Sequence, residues 1–145
     1  MTNLILIGCG PHAKRVYLPA IQKISGVKIS LVVELESQRE VTEQTLSNFD
    51  YCEVVYTTPF QNEVPIHLAD AINTHIVEKK VSGVIIATEP TIHKAYAKWA
   101  LKNGLNILLD KPITTRENVV SDINQAKGLI EDYDELLSDY QNLKK

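Results

Sequence analysis

The chain has 145 residues, 44% of them hydrophobic, and a formal net charge of −3 at pH 7, which suits one ordinary domain with a real core and is too little for two large ones. Lys, Arg and aromatic residues gather nowhere as a nucleic-acid groove requires, and the only cysteines, Cys9 and Cys52, fit no disulfide framework or metal spacing. The expectation is therefore a soluble, cytoplasmic protein with no metal site, no signal peptide, and no apolar run near the ~20 residues of a membrane span.

In chain order, an apolar strand from about Asn3 ends in Gly8-Cys9-Gly10-Pro11-His12-Ala13, the spacing of a G-x-G-x-x-G/A turn. Gly8 permits the tight turn, Gly10 lets backbone approach a pyrophosphate, and small Ala13 lets the next helix lie against the strand. The loop amides and the positive end of the helix then form an anion site, beside which His12, Lys14 and Arg15 add positive charge or stay solvated. By itself the loop is equally a common tight turn. Pro11 to Ile24 predicts a helix, kinked or broken at Pro19 and stopped by Gly26. Val27 to Glu34 lacks polar alternation, as a strand covered on both faces does. Ser37 is placed to cap a helix reaching Phe49, and Cys52 to Tyr56 is a weaker third strand.

Thr57 to Pro65 is a loop. A helix follows with Ile66, Ala69, Ile72, Ile76 and Val77 on one face, then a fourth strand from Val81 to Ala87. Pro90 suits the first turn of a helix whose stripe is Ile92, Ala95, Tyr96, Trp99 and Ala100; Asn103-Gly104 stops it. The fifth strand is Asn106 to Asp110. Thr114 and Glu117 stand at capping-box spacing before the longest helical pattern, 115–143, with Val119, Ile123, Ala126, Ile130, Tyr133, Leu137 and Tyr140 in heptad steps. Those apolar positions exceed what one crossover helix needs and predict contact with a second copy or a further domain. Strands alternate with helices throughout. The fold class is α/β, a Rossmann-type doubly wound, mostly parallel sheet with helices on both faces, in a single domain over 1–145.

In such sheets ligands bind outside the carboxyl ends of the strands. Gly8 to Ala13, Glu34, Thr88-Glu89-Pro90 and Asp110-Lys111-Pro112 all fall there. Glu34 follows the glycines by slightly more than the ~20 residues expected of the acid that binds the adenosine ribose. Its carboxylate accepts from ribose hydroxyls and repels a 2′-phosphate, favouring NAD, with NADP possible because Arg39 lies within reach of that phosphate. The alternative for Glu34 is a solvated charge. Lys111 is either a surface lysine in a turn or a group that handles a substrate hydroxyl proton. His93 faces the cleft or merely packs. Trp99 reads as core.

Together, Leu4-Ile5-Leu6-Ile7-Gly8-Cys9-Gly10, Glu34, Ala87-Thr88-Glu89-Pro90-Thr91-Ile92-His93 and Asp110-Lys111-Pro112 resemble the N-terminal domain of the Gfo/Idh/MocA oxidoreductases. The resemblance makes Lys111 the counterpart of that family's catalytic lysine. It places Thr88, Glu89, Pro90, His93 and Asp110 at the nicotinamide side, and implies hydride exchange with a hydroxyl or carbonyl of a sugar, cyclitol or related small molecule. Asp110 stands for the usual glutamate, and Glu89-Pro90 for the usual Pro-Asn. The family's substrate domain has no counterpart within these residues, which implies catalytic incompleteness. The alternatives are a non-catalytic nucleotide-sensing or interaction module and, less favoured, an S-adenosylmethionine-dependent methyltransferase.

Overall fold

The computed structural model describes residues 1–49 and 52–143. Strands β1 (Thr2–Ile7), β2 (Val27–Leu35), β3 (Glu53–Thr57), β4 (Val81–Ile86) and β5 (Asn106–Leu109) form one sheet in the order β3-β2-β1-β4-β5. Every neighbouring pair is parallel. Apolar residues without polar alternation explain this for β1, β2 and β4, which bury both faces, whereas β5 lies at the sheet edge with Leu108 51% exposed. Ile5, Ile7, Leu31, Val33, Val84 and Ile86 enter one core with α3 (Ile66–Lys79), α4 (His93–Lys102) and α5 (Ile123–Leu143). Leu6, Val32 and Ile85 enter the other, with Ala13 and with Leu18 of α1 (Leu18–Gln22). The chain winds outward from β1 to β3, then returns to lay β4 on the other side of β1. That reversal opens a crevice at the carboxyl ends of β1 and β4.

Several helices depart from the pattern. The expected break at Pro19 takes the form of a π turn over Ala13–Tyr17, with Leu18 N–H donating to Ala13 O, and α1 ends at Gln22 rather than Ile24. Pro19 lacks an N–H and its ring crowds the carbonyl four residues back, so a wider turn relieves the clash. β2 runs through Leu35, which leaves Ser37 inside a 3₁₀ turn (Glu36–Gln38) instead of at a cap; α2 is Arg39–Leu46. In α3 the buried stripe is Leu68, Ile72 and His75, while Ile66 and Val77 face solvent. His75 fixes that rotation, with Nε2 3.0 Å from Ser30 Oγ on β2 and Nδ1 3.4 Å from Glu53 Oε2 on β3. Trp99 is core as expected, its indole N–H donating to Asn73 of α3.

The longest helix begins at Ile123, not near Thr115, so Thr114 and Glu117 form no capping box. Asn118 takes a left-handed conformation (φ +57°) and turns the chain, and Asp122 caps instead, its Oδ1 accepting from Asn124 N–H at 2.8 Å. α5 faces α4 with Gly128, Asp132 and Leu136. Asp132 accepts both prongs of Arg116 at 2.7 and 2.8 Å and Lys94 Nζ at 2.6 Å, while Glu135 binds Lys94 and Lys98. Gly128 leaves room for the Arg116 guanidinium on its way to Asp132, and a Cβ there would push that side chain aside.

Hydrogen bonds from Arg116, and then Lys94, hold the Asp132 pKa down to about 2. A carboxyl whose folded pKa is depressed adds stability above its unfolded value near ~3.9, and loses it as pH falls toward the folded value. Denaturant titrations of the protein at intervals from pH 5 to pH 2 are expected to show a steep loss of stability below about pH 4. In Asp132→Asn that steep segment is expected to flatten.

Candidate functional site

Gly8 closes β1 at φ +88°, and a Cβ there would lie 2.6 Å from Ala87 O and 2.9 Å from Thr88 N at the end of β4. Only glycine lets the β1 and β4 ends approach this closely. The ladder continues past the strands across the crevice: Gly8 N–H donates to Val33 O, Ala87 N–H to Ile7 O, and Asp110 N–H to Ile86 O. Gly10 differs. A Cβ on it would meet nothing within 4 Å, so its backbone borders open space, while Lys14 N–H donates to its carbonyl and starts the helix. Ala13 is buried against Leu6, where a small residue lets helix and strand touch.

Glu34, one residue before the end of β2, acts as a bracket. Its Oε2 accepts from Cys9 N–H at 2.6 Å and its Oε1 from Leu35 N–H at 2.7 Å, tying the glycine loop to the second strand. Each carboxylate oxygen keeps a further lone pair for another donor. The Cys9 side chain lies in the core, where burial pushes its thiol pKa up to about 11 and keeps it protonated near neutral pH. Arg39 lies in the next turn, with its guanidinium on Glu36 at 2.7 and 2.8 Å, 3.5 Å from Glu43, and over the Tyr56 ring at 3.9 Å.

On the other side of the crevice, His12 Nε2 is 3.9 Å from Asp110 Oδ2, and the His12 ring meets Tyr17 edge to face. Burial, and then the neighbouring Asp110 carboxylate, raise the Tyr17 hydroxyl's pKa. The sequence placed Tyr17 only within the expected 11–24 helix, and it is the π turn that sets it beside His12. Lys111 is exposed at the rim, where its N–H donates to Asp110 Oδ1 at 2.9 Å, and the Lys111–Pro112 peptide is cis. Thr88 donates from its hydroxyl to Glu89 O, and Pro90 opens a 3₁₀ turn. His93 is 0% exposed: Nδ1 lies 2.9 Å from Pro112 O and Nε2 3.0 Å from Thr88 O. The imidazole therefore joins two crevice loops from beneath, with no surface of its own in the cleft.

Thus the glycine loop, Glu34, Thr88 and Asp110 come together at one sheet edge, Lys111 sits at its rim, and His93 supports it. These features fit a dinucleotide, since they combine a glycine-only close approach, open backbone at Gly10 and a carboxylate at the second strand's end. Separately, a groove of about 550 Å³ lies between the loop after β3 and α4, bordered by Phe60, Lys94, Lys98 and Arg116. It holds none of the glycine-loop residues.

Fold and crevice define a Rossmann-type dinucleotide-binding domain. The family model GFO_IDH_MocA, described as "Oxidoreductase family, NAD-binding Rossmann fold", matches residues 2–140, and the chain belongs to that family. No curated protein matches the chain at a significant level. Among solved structures, a dehydrogenase from Chromobacterium violaceum is 14% identical, with a TM-score of 0.68 over 99% of this chain and 33% of its own. The KijD10 3-ketoreductase from Actinomadura kijaniata, in complex with NADP and TDP-benzene, is 18% identical (TM-score 0.63; 98% and 34% covered). D-galactose-1-dehydrogenase from Rhizobium etli is 17% identical (TM-score 0.63; 97% and 34% covered). The chain spans about a third of the length of these proteins.

The two glycines are expected to differ on substitution. Gly8→Ala combines positive φ with a clash against backbone, and is expected to cost ~2 kcal/mol or more in chemical denaturation. Gly10→Ala is expected to stay within ~0.5 kcal/mol of wild type.

Proposed function

We propose that this chain is the cofactor-holding part of a cytoplasmic NAD-dependent oxidoreductase that acts on a hydroxyl or carbonyl of a sugar, cyclitol or related small molecule. The single observation that carries the reading is the meeting of Gly8, Gly10 and Glu34 at the point where strand order reverses. Supporting it are the family to which the chain belongs and the sugar named for the Rhizobium etli dehydrogenase.

The nicotinamide ring, when bound, supplies a hydride acceptor or donor. The chain's own residues bind, orient and handle protons. The amides from Gly10 onward and the start of the helix beyond them receive the pyrophosphate; Glu34 accepts from the adenosine ribose hydroxyls while still holding Cys9 N–H. Lys111, at the rim beside Asp110, orients the substrate oxygen and exchanges its proton, the role carried by the family's motif. Thr88, Glu89, Pro90 and Asp110 form the nicotinamide-side wall, and His93 holds that wall in place from below. One open sheet edge offers no second wall to exclude water, and positioning against such a wall supplies ~7 to 11 kcal/mol of barrier reduction. Substrate closure therefore falls to protein beyond this domain.

NAD is favoured over NADP on two observations. The Glu34 carboxylate near the end of β2 would repel a 2′-phosphate brought to it, and Arg39 in the following turn is already paired with Glu36 and Glu43. Calorimetric titration is expected to show NADH binding at least ~10-fold tighter than NADPH, a difference of ~1.4 kcal/mol. Glu34→Gln is expected to bring the two affinities within about threefold; equal or reversed affinities in the wild type would overturn the assignment. Lys111→Ala is expected to leave NADH affinity within about threefold. In a protein carrying the family's full length it is expected to lower turnover by ~100-fold or more, read from steady-state kinetics.

A further inference from the structure

We infer that α5 is a dimerisation helix that pairs antiparallel with α5 of a second copy of this chain. The helix is inverted relative to an ordinary crossover helix. Its inward face puts one leucine, Leu136, into the core and is otherwise anchored by ions, Asp132 and Glu135 on Lys94, Lys98 and Arg116, while a longer apolar seam faces out. Ile123 is 67% exposed, Ile130 65%, Tyr133 47% and Leu137 39%. Scattered exposed apolar residues are ordinary, but a contiguous row of them marks an interaction surface.

The spacing identifies what covers it. Ile123, Ala126, Ile130, Tyr133 and Leu137 alternate steps of three and four, the 3.5-residue repeat that keeps one seam facing a partner helix over several turns. From Ile123 to Leu137 the seam runs about 21 Å at 1.5 Å per residue. Charge complementarity selects a second copy and its direction. In an antiparallel pair with Ile130 beside Tyr133 of the second copy and Ala126 beside Leu137, the residues flanking the seam are Lys127 and Asp134, both exposed. Lys127 then meets Asp134 of the second copy, and the two-fold axis repeats the pair, as an isologous interface must. A parallel pair would instead set Lys127 against Asp122, whose carboxylate is already engaged in capping α5.

Sedimentation velocity on the 145-residue chain tests this, with circular dichroism as the control for folding. The wild type is expected to sediment as a dimer at ~100 µM, against a Kd of ~10 µM or tighter. Lys127→Glu and Asp134→Lys are each expected to weaken association by about tenfold or more, and the double charge reversal to restore it. A wild type that is monomeric at that concentration, as when the seam instead serves a further domain, would overturn the inference. So would a dimer indifferent to both substitutions, or one that responds to Lys127→Glu and not to Asp134→Lys, which is the parallel arrangement. The result is independent of NADH titration, so loss of the dimer and loss of the cofactor site are separately visible.

Discussion

The missing side chain of Gly8 is the constraint on which the crevice rests. Its backbone takes a left-handed turn against the Ala87 carbonyl, so β1 and β4 stay in register to their last residues, and their loops leave in different directions from a common point. The hydrogen bonds from Gly8 to Val33, Ala87 to Ile7 and Asp110 to Ile86 carry sheet order beyond the strands into those loops. The proposed cofactor site depends on this because an anion site made of backbone amides has no side chains to adjust; its geometry is whatever the strand ends impose. Glu34 extends the same logic sideways by holding Cys9 N–H, and His93 does so from below by spanning Thr88 O and Pro112 O.

A second constraint shapes the far side of the molecule. α5 is held by a buried carboxylate rather than by a broad apolar face: Asp132 draws Arg116 and Lys94 together, and Gly128 leaves the room Arg116 needs. A pair of this kind fixes geometry more than it adds net stability, because desolvation offsets much of the attraction. Leu136 still enters the core, but Ile123, Ile130, Tyr133 and Leu137 are left to line up outward.

Most of the sheet was legible in the sequence because a doubly covered strand has an unmistakable composition, and Val27 to Glu34 and Val81 to Ala87 are long runs of it. The glycine loop and Glu34 were legible because they combine backbone requirement and spacing. Helix boundaries were less so. Ser37 looks like a cap until β2 proves one residue longer, and Thr114 with Glu117 looks like a capping box until Asn118 turns the chain. Period alone did not say which stripe of α3 faces the sheet, since His75 is buried against Ser30, a hydrogen-bond partner far away in sequence. The inward face of α5 was hidden for the same reason: Asp132, Lys94 and Arg116 form a cluster in space, while the seam that periodicity does reveal is the one facing away. Tyr17 and the carbonyl partners of His93 were likewise beyond a reading of local pattern.

The central claim, that the crevice at the carboxyl ends of β1, β2, β4 and β5 is where NAD(H) binds, is tested most directly by amide hydrogen exchange with and without NADH. The account predicts added protection concentrated in 8–14, 34–35, 87–90 and 110–112. Protection confined to the groove bordered by Phe60, Lys98 and Arg116, or none anywhere at saturating NADH, would contradict it.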